Sequence, residues 1–398
     1  MLATRMAQIK PSPSMAVSQA AKALVAQGHD VADLGLGEPD FNTPAHIVEA
    51  AHAAALAGDT RYTATGGAPA TKDAVAEKFR RENGLDYAPD EIIVSNGAKQ
   101  VIFNALMATL EPGDEVILAA PYFVSYPDIA LMLGGTPVTI ECTRADGFKL
   151  TPEALAAAIT PRAKWLILNM PGNPSGAVYS EAELQALGEV LAHHPNLLIL
   201  SDEIYEHILF DGRNFVSFGQ ACPELRDRTL IVNGVSKAYA MTGWRIGYGA
   251  GPSGLIKGMT TVQSQSTTGA CSIAQAAAVA ALTGPQDEVT RFRTAFERRR
   301  DLVVEGINAI PGLALDPPQG AFYAFIDCAE LIGRRMAKGA ELADDTTVTQ
   351  YLLTAAGVAA VPGSAYGLSP FFRISTATSE DVLRAAIARI GDAVSALN

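Results

Sequence analysis

Apolar positions in this chain fall in short runs separated by longer amphipathic stretches. Near-continuous apolar runs at 91–94, 115–119, 136–140, 165–169, 197–201 and 229–233 read as strands. Helical periodicity at 45–56, 68–83 and 100–110 fills the space between some of them. Apolar strands without alternation, set between helices, predict an α/β fold whose mainly parallel sheet is covered on both faces. Ligands on such sheets bind beyond the carboxyl ends of the strands, and Lys99, Asn173, Asp202 and Lys237 all follow such ends.

The pattern changes towards both termini. Pro11 and Pro13 discourage helix and predict an extended arm over 1–15. An Ala-rich helix at 16–27 ends at Gly28, and a short strand follows at 31–36. A long helix begins near Pro285, then come a strand at 321–326, a polar insertion at 334–345 and a helix at 347–356. A strand-loop-strand over 358–376 and a last helix at 381–397 complete the chain. The expected organisation is a large domain at 45–284 and a smaller α+β domain built from 16–44 and 285–398.

With 398 residues, 48% of them hydrophobic and 18% charged, the chain can bury an extensive core. A formal net charge of −12 argues against binding nucleic acid or anionic membranes, but not against an anionic substrate held by a few arginines. Cys142, Cys222, Cys271 and Cys328 form no CxxC pair, and the six histidines no HExxH motif, so neither a disulfide framework nor a metal site is expected. The adjacent pair His193-His194 reads as a helix end. The start MLATRMAQIKPSPSM lacks the apolar core of a secretory signal, which suits a cytoplasmic protein.

The candidate chemistry centres on Asn233-Gly-Val-Ser-Lys-Ala-Tyr-Ala-Met-Thr-Gly-Trp-Arg-Ile-Gly-Tyr248. Lys237 stands among small residues, where a bulky ligand can approach and desolvate its amine. Arg245, eight positions on, offers a planar fork for phosphate. An amine that captures a carbonyl, beside a phosphate anchor, is the pair that pyridoxal 5'-phosphate (PLP) requires. Taken alone, a surface lysine and arginine near a turn would explain these two as well.

Other segments add to it. Asp202 just past an apolar run could face a cationic ring nitrogen, or cap a helix. Tyr205 and Asn173 could reach a phenolic oxygen, although Pro171, Gly172, Pro174 and Gly176 also fit a plain turn. Gly97 in Ser95-Asn-Gly-Ala-Lys99 lets a helix N-terminus approach phosphate. Arg373, in an apolar strand, needs an anion: a substrate carboxylate or an internal salt bridge. Phe123 could stack on a cofactor ring or simply pack in the core.

Together these motifs resemble the class I/II aminotransferases of PLP fold type I, and most of all their bacterial aspartate aminotransferase branch. The resemblance also takes in Lys10-Pro-Ser, Gly35-Leu-Gly-Glu-Pro-Asp-Phe and Phe372-Arg-Ile-Ser, nearly the whole chain. It implies that Lys237 carries PLP covalently and then moves the proton at the substrate α-carbon. Asp202 would pair with the ring nitrogen, and Asn173 and Tyr205 with the phenolic oxygen. Arg245, Ser236 and the turn Gly97, Ala98 and Lys99 would hold the phosphate, with Tyr62 reaching it from the partner in a homodimer. Gly37 and Arg373 would bind the α-carboxylate, with Asn173 alongside, and Lys99 could also face a distal carboxylate. Phe123 stands where tryptophan is usual and Ala98 where a second glycine is. Met170, Gly172, Pro13 and Gly234 also depart from common wording, which bears on dicarboxylate specificity.

The activity so implied is transfer of an amino group between an amino acid and a 2-oxo acid, aspartate with 2-oxoglutarate first. Aromatic amino acids or prephenate are the alternative substrates. A PLP-dependent C–S β-lyase is the rival reaction. A PLP-sensing regulator would need a DNA-binding domain for which the arm has no room. Gly247-Tyr-Gly-Ala-Gly251 lacks the full spacing of a nicotinamide-binding fingerprint.

Overall fold

The structure is a computed structural model that describes residues 2–336 and 339–398. Its strands are β1 (Ala32–Asp33), β2 (Ile92–Ser95), β3 (Glu115–Ala120), β4 (Thr136–Glu141), β5 (Ala163–Asn169) and β6 (Leu198–Asp202). They continue with β7 (Thr229–Gly234), β8 (Gly247–Ala250), β9 (Tyr323–Asp327), β10 (Val358–Ala359), β11 (Val361–Pro362) and β12 (Phe371–Ser375). The main sheet has seven strands in the order β2-β8-β7-β6-β5-β3-β4. All of them run parallel except β8, which lies antiparallel between β2 and β7.

The apolar runs are continuous because both faces of this sheet are covered. Val116, Leu118, Trp165 and Ile167 pack on one face with Ile102, Ala105 and Leu106. Their neighbours Ile117, Leu166 and Leu168 pack on the other with Leu184, Leu187 and Leu191. Successive strand residues thus serve opposite layers, as the pleat dictates.

Away from this sheet, β11, β12 and β9 form an antiparallel three-stranded sheet, and β1 pairs in parallel with β10. A core of Leu34, Ile307, Ile326, Phe372, Leu383 and Ile390 joins chain segments from both termini. The expected insertion at 334–345 lies partly outside the described residues; around it Arg335 bridges Glu341.

Several expectations need correction. Helix α1 spans Pro13–Ala26, so Pro13 opens a helix instead of extending the arm. At the first helical position the missing N–H has no partner to lose and the fixed φ is already helical. Thr4–Ala7 is a 3-10 turn, again not extended. The strand expected at 31–36 shrinks to two residues, because Gly35 and Gly37 follow directly. The Gly-rich stretch after Ile246, which had no strand assigned, forms β8. Among the helices, α2 spans Ala45–Leu56, α3 Pro69–Asn83, α4 Ala98–Thr109 and α5 Ser125–Met132; α3 packs on β2, α4 on β2 and β8, and α5 on β3 and β4.

Candidate active site

The parallel strands bring their carboxyl ends to one edge, and the site is built there. A cavity of about 370 Å³ opens at this edge. Its wall contains Gly37, Ala98, Lys99, Phe123, Asn173, Asp202, Tyr205, Ser236, Lys237, Arg245 and Arg373, which chain segments far apart in sequence contribute.

Asp202 is the last residue of β6 and is buried. Its Oδ2 accepts from the Tyr126 hydroxyl at 2.6 Å, and its Oδ1 from the Ile204 N–H at 3.3 Å. No helix follows, so the capping role does not apply. Burial pushes its pKa up to about 6, and the hydrogen bonds only partly oppose this.

Lys237 follows β7, the neighbouring strand, and its Nζ donates to the Gly37 carbonyl at 2.7 Å. The protein atoms packed around the amine push its pKa down to about 8; Glu38 opposes, and Arg373 and Arg245 assist. The turn that carries it is fixed from behind. Asn233 donates to Glu206 at 2.7 Å and accepts from the Gly234 N–H at 2.7 Å. Glu206 is in turn paired with the fully buried Lys78. Glu82, Glu206 and His207 cluster there, and the Lys78 ammonium already supplies the cation.

One end of the cavity lies where β2 runs into α4. Gly97 has φ 88°, open to glycine, and no side chain caps the helix, so the Ala98 and Lys99 N–H groups have no partner among the described residues. Arg245 arrives beside it because β8 runs backwards and therefore starts at this edge. Its own φ is 57°, an uncommon left-handed value for a side-chain-bearing residue at a functional site. Its Nη1 donates to the Thr242 carbonyl at 2.8 Å and its Nη2 to the Asn96 carbonyl at 3.3 Å. Gly247 is required by close approach: a β-carbon there would collide with the backbone nitrogen of Ala98.

The opposite end presents Arg373 on β12, buried, without a carboxylate partner among the described residues. Nη1 donates to Asn173 Oδ1 at 3.0 Å, Nη2 donates to the Gly35 carbonyl, and Nε has no partner. The internal salt bridge is therefore not formed, and the charge remains available to an incoming anion. Asn173 is placed by Asn169, whose Oδ1 accepts from the Asn173 N–H at 2.7 Å. Lys99 stands at the wall with its Nζ 5.1 Å from the Phe123 ring centre; desolvation and then Arg245 lower its pKa.

One expected residue stands apart. Tyr62 is 94% exposed and takes no part in this cavity. Gly97 does not line the cavity either; its neighbours Ala98 and Lys99 do. Sequence reasoning missed Tyr126 and Tyr323. Tyr126 sits one helical turn after Phe123, a spacing that could have been read; Tyr323 is a core-like aromatic in an apolar strand, with no separate signal.

Residues 29–390 match the sequence model of the aminotransferase class I and II family. An aspartate/prephenate aminotransferase of Cereibacter sphaeroides is 55% identical over 98% of this chain and 97% of its own. An aspartate aminotransferase of Rhizobium meliloti is 54% identical over 100% of this chain and 97% of its own. Among solved structures, the aspartate aminotransferase from Rhizobium meliloti superposes with a TM-score of 0.98 at 53% identity, covering 100% of both chains. The Thermus thermophilus aspartate aminotransferase with maleate gives 0.92 at 44% identity over 99% of both. The family match and the relatives agree with the strand-end architecture described above: this chain belongs to the class I and II aminotransferases.

Proposed function

We propose that this aminotransferase uses PLP and moves the amino group of aspartate to 2-oxoglutarate in a ping-pong sequence. The observation that carries the reading is the position of Lys237. A desolvated amine sits between a buried carboxylate, an anion-binding helix end and a free buried arginine. This donor set fits PLP part by part. Asp202 would face the ring nitrogen, and Tyr205 and Asn173 the phenolic oxygen. The α4 N-terminus at Gly97, Ala98 and Lys99, with Arg245 and Ser236, would hold the phosphate, and Phe123 would stack on the ring. When bound, PLP supplies an aldehyde for the amino group and a ring that takes up the electron pair left on the α-carbon.

The chain's own groups do the rest. Arg373 holds the α-carboxylate, with the Gly37 backbone and Asn173 beside it, and so fixes which bond faces Lys237. Lys237, released as a neutral amine, takes the α-proton and returns it. Asp202 keeps a proton on the ring nitrogen. Lys99 at the wall suits a distal carboxylate, and the names of the relatives favour aspartate, with prephenate second.

Steady-state assays with aspartate and 2-oxoglutarate test this: parallel double-reciprocal lines are expected. Release of pyruvate and ammonia from cystathionine without an acceptor would favour the C–S lyase instead.

The same reading includes a homodimer, with the partner subunit's Tyr62 reaching the phosphate. Supporting it, Tyr62, Leu2, Met6, Val48 and Leu56 are exposed large apolar side chains. Mixing Lys237→Ala and Tyr62→Phe subunits tests sharing, since hybrids would regain one intact site. We propose also that 16–44 with 285–398 forms a smaller domain against 45–284, behind an arm at 1–15, and that the enzyme is cytoplasmic. No described helix is long and apolar enough to cross a membrane.

A further inference from the structure

Tyr323 opens β9 and is buried at the cavity wall. Its hydroxyl lies 2.7 Å from that of Tyr205, and among the described residues it has no other hydrogen-bond partner. Three contacts make it a junction. The Arg373 guanidinium lies over its ring, 4.5 Å from the centre. The backbone of Gly37 passes so close that a β-carbon at Gly37 would overlap the Tyr323 hydroxyl. Tyr205 lines the same cavity, with Lys237 Nζ 5.9 Å from its ring centre.

We propose that Tyr323 is a positioning residue whose hydroxyl donates to Tyr205 and so strengthens the Tyr205 hydrogen bond to the cofactor's phenolic oxygen. This rests on the PLP reading. The direction of the bond follows from counting protons. Each hydroxyl has one, and a phenolate oxygen only accepts. Once Tyr205 gives its proton to that oxygen, the 2.7 Å contact leaves Tyr323 as the donor. A hydroxyl that accepts a hydrogen bond donates a stronger one. The charged groups around the pair act together with this. Arg373 over the ring face makes the Tyr323 phenol a better donor. Arg373 and Asp202 act on Tyr205 electrostatically, and Lys237 Nζ stands 5.9 Å from the ring centres of both Tyr205 and Phe322, which meet edge to face. Gly37 is a glycine here because Tyr323 occupies the space of its side chain.

The test is the pH dependence of the visible band of the PLP-loaded protein, for wild type and Tyr323→Phe. The phenyl ring and its contact with Arg373 are kept, so only the hydroxyl is removed. A weaker Tyr205 bond leaves more negative charge on the phenolic oxygen, which holds the proton on the adjacent nitrogen to higher pH. The midpoint should rise by about half a pH unit. Tyr205→Phe should raise it further, and adding Tyr323→Phe to that variant should change nothing more. A ring-fluorinated tyrosine at position 323, a stronger donor, should lower the midpoint. An unmoved midpoint in Tyr323→Phe, or a shift that persists without the Tyr205 hydroxyl, overturns the proposal. Absence of any visible band in the wild type would sink the PLP reading itself, which is a different result.

Discussion

Lys237 Nζ donates to the backbone carbonyl of Gly37 across 2.7 Å, tying the end of β7 to the loop after β1. A carbonyl can hold an ammonium but does not neutralise it, so desolvation wins and the amine's pKa falls from 10.5 to about 8. The charged form therefore costs stability. Below about pH 8 that cost is full, and it fades as pH rises towards 10.5. The cofactor-free Lys237→Met variant should be more stable than wild type at neutral pH, by roughly 1–3 kcal/mol. The gap should close in alkali. Denaturant unfolding across pH checks it, and a variant that is less stable at neutral pH would contradict it. Turnover should fall by roughly 10⁴-fold or more.

Asp202 behaves in the opposite sense. Its folded pKa of about 6 lies above the ordinary 3.8, so ionising it in the cofactor-free protein is unfavourable. Stability is lost as pH rises through that window and stays lost above it. Cofactor-free Asp202→Asn should gain up to about 2–3 kcal/mol above pH 6, and nothing below about pH 4. With PLP added, kcat should drop by about 10²–10⁴-fold, because the ring nitrogen loses its charged partner. Unfolding and turnover measured on the same preparation separate the two effects.

Arg373 keeps one face for Asn173 and Gly35 and one nitrogen without a partner. Arg373→Lys removes the planar fork while keeping the charge. The KM for the amino donor should rise about 10²-fold, with a smaller loss in kcat. An unchanged KM would mean that the substrate carboxylate binds elsewhere.

Gly247 tests the proposed phosphate site at the α4 N-terminus without altering any side chain proposed to hold the cofactor. Gly247→Ala puts a methyl against the Ala98 nitrogen and displaces the first turn of α4. PLP affinity should fall by about 10-fold or more, since helix N–H groups bind phosphate only at hydrogen-bonding distance. Fluorescence titration of the cofactor-free protein reads this directly.

Most of this site was legible because each residue type has few uses in its setting. Lys237, Asp202, Asn173 and Arg373 follow or sit in apolar strands, where charge and amide groups need a reason to be. The apolar runs also foretold the parallel sheet. What escaped the sequence was tertiary. Two small residues flanking Tyr248 gave no sign that β8 would run backwards and deliver Arg245 to the N-terminus of α4. Pro13 reads equally well as a break or as the first residue of α1, and only the packing of that helix decides. Tyr323 looks like any core aromatic until Arg373 is found over its ring. Tyr62 turns outward, so the role proposed for it needs a second chain.

The most direct test of the account is to reduce the PLP-loaded protein with borohydride and locate the label by peptide mass spectrometry. Reduction fixes the cofactor to the nitrogen that holds it. The account predicts a single labelled residue, Lys237, and loss of the label when aspartate is added before reduction. Label on Lys99 or another lysine, or none after PLP loading, would contradict it.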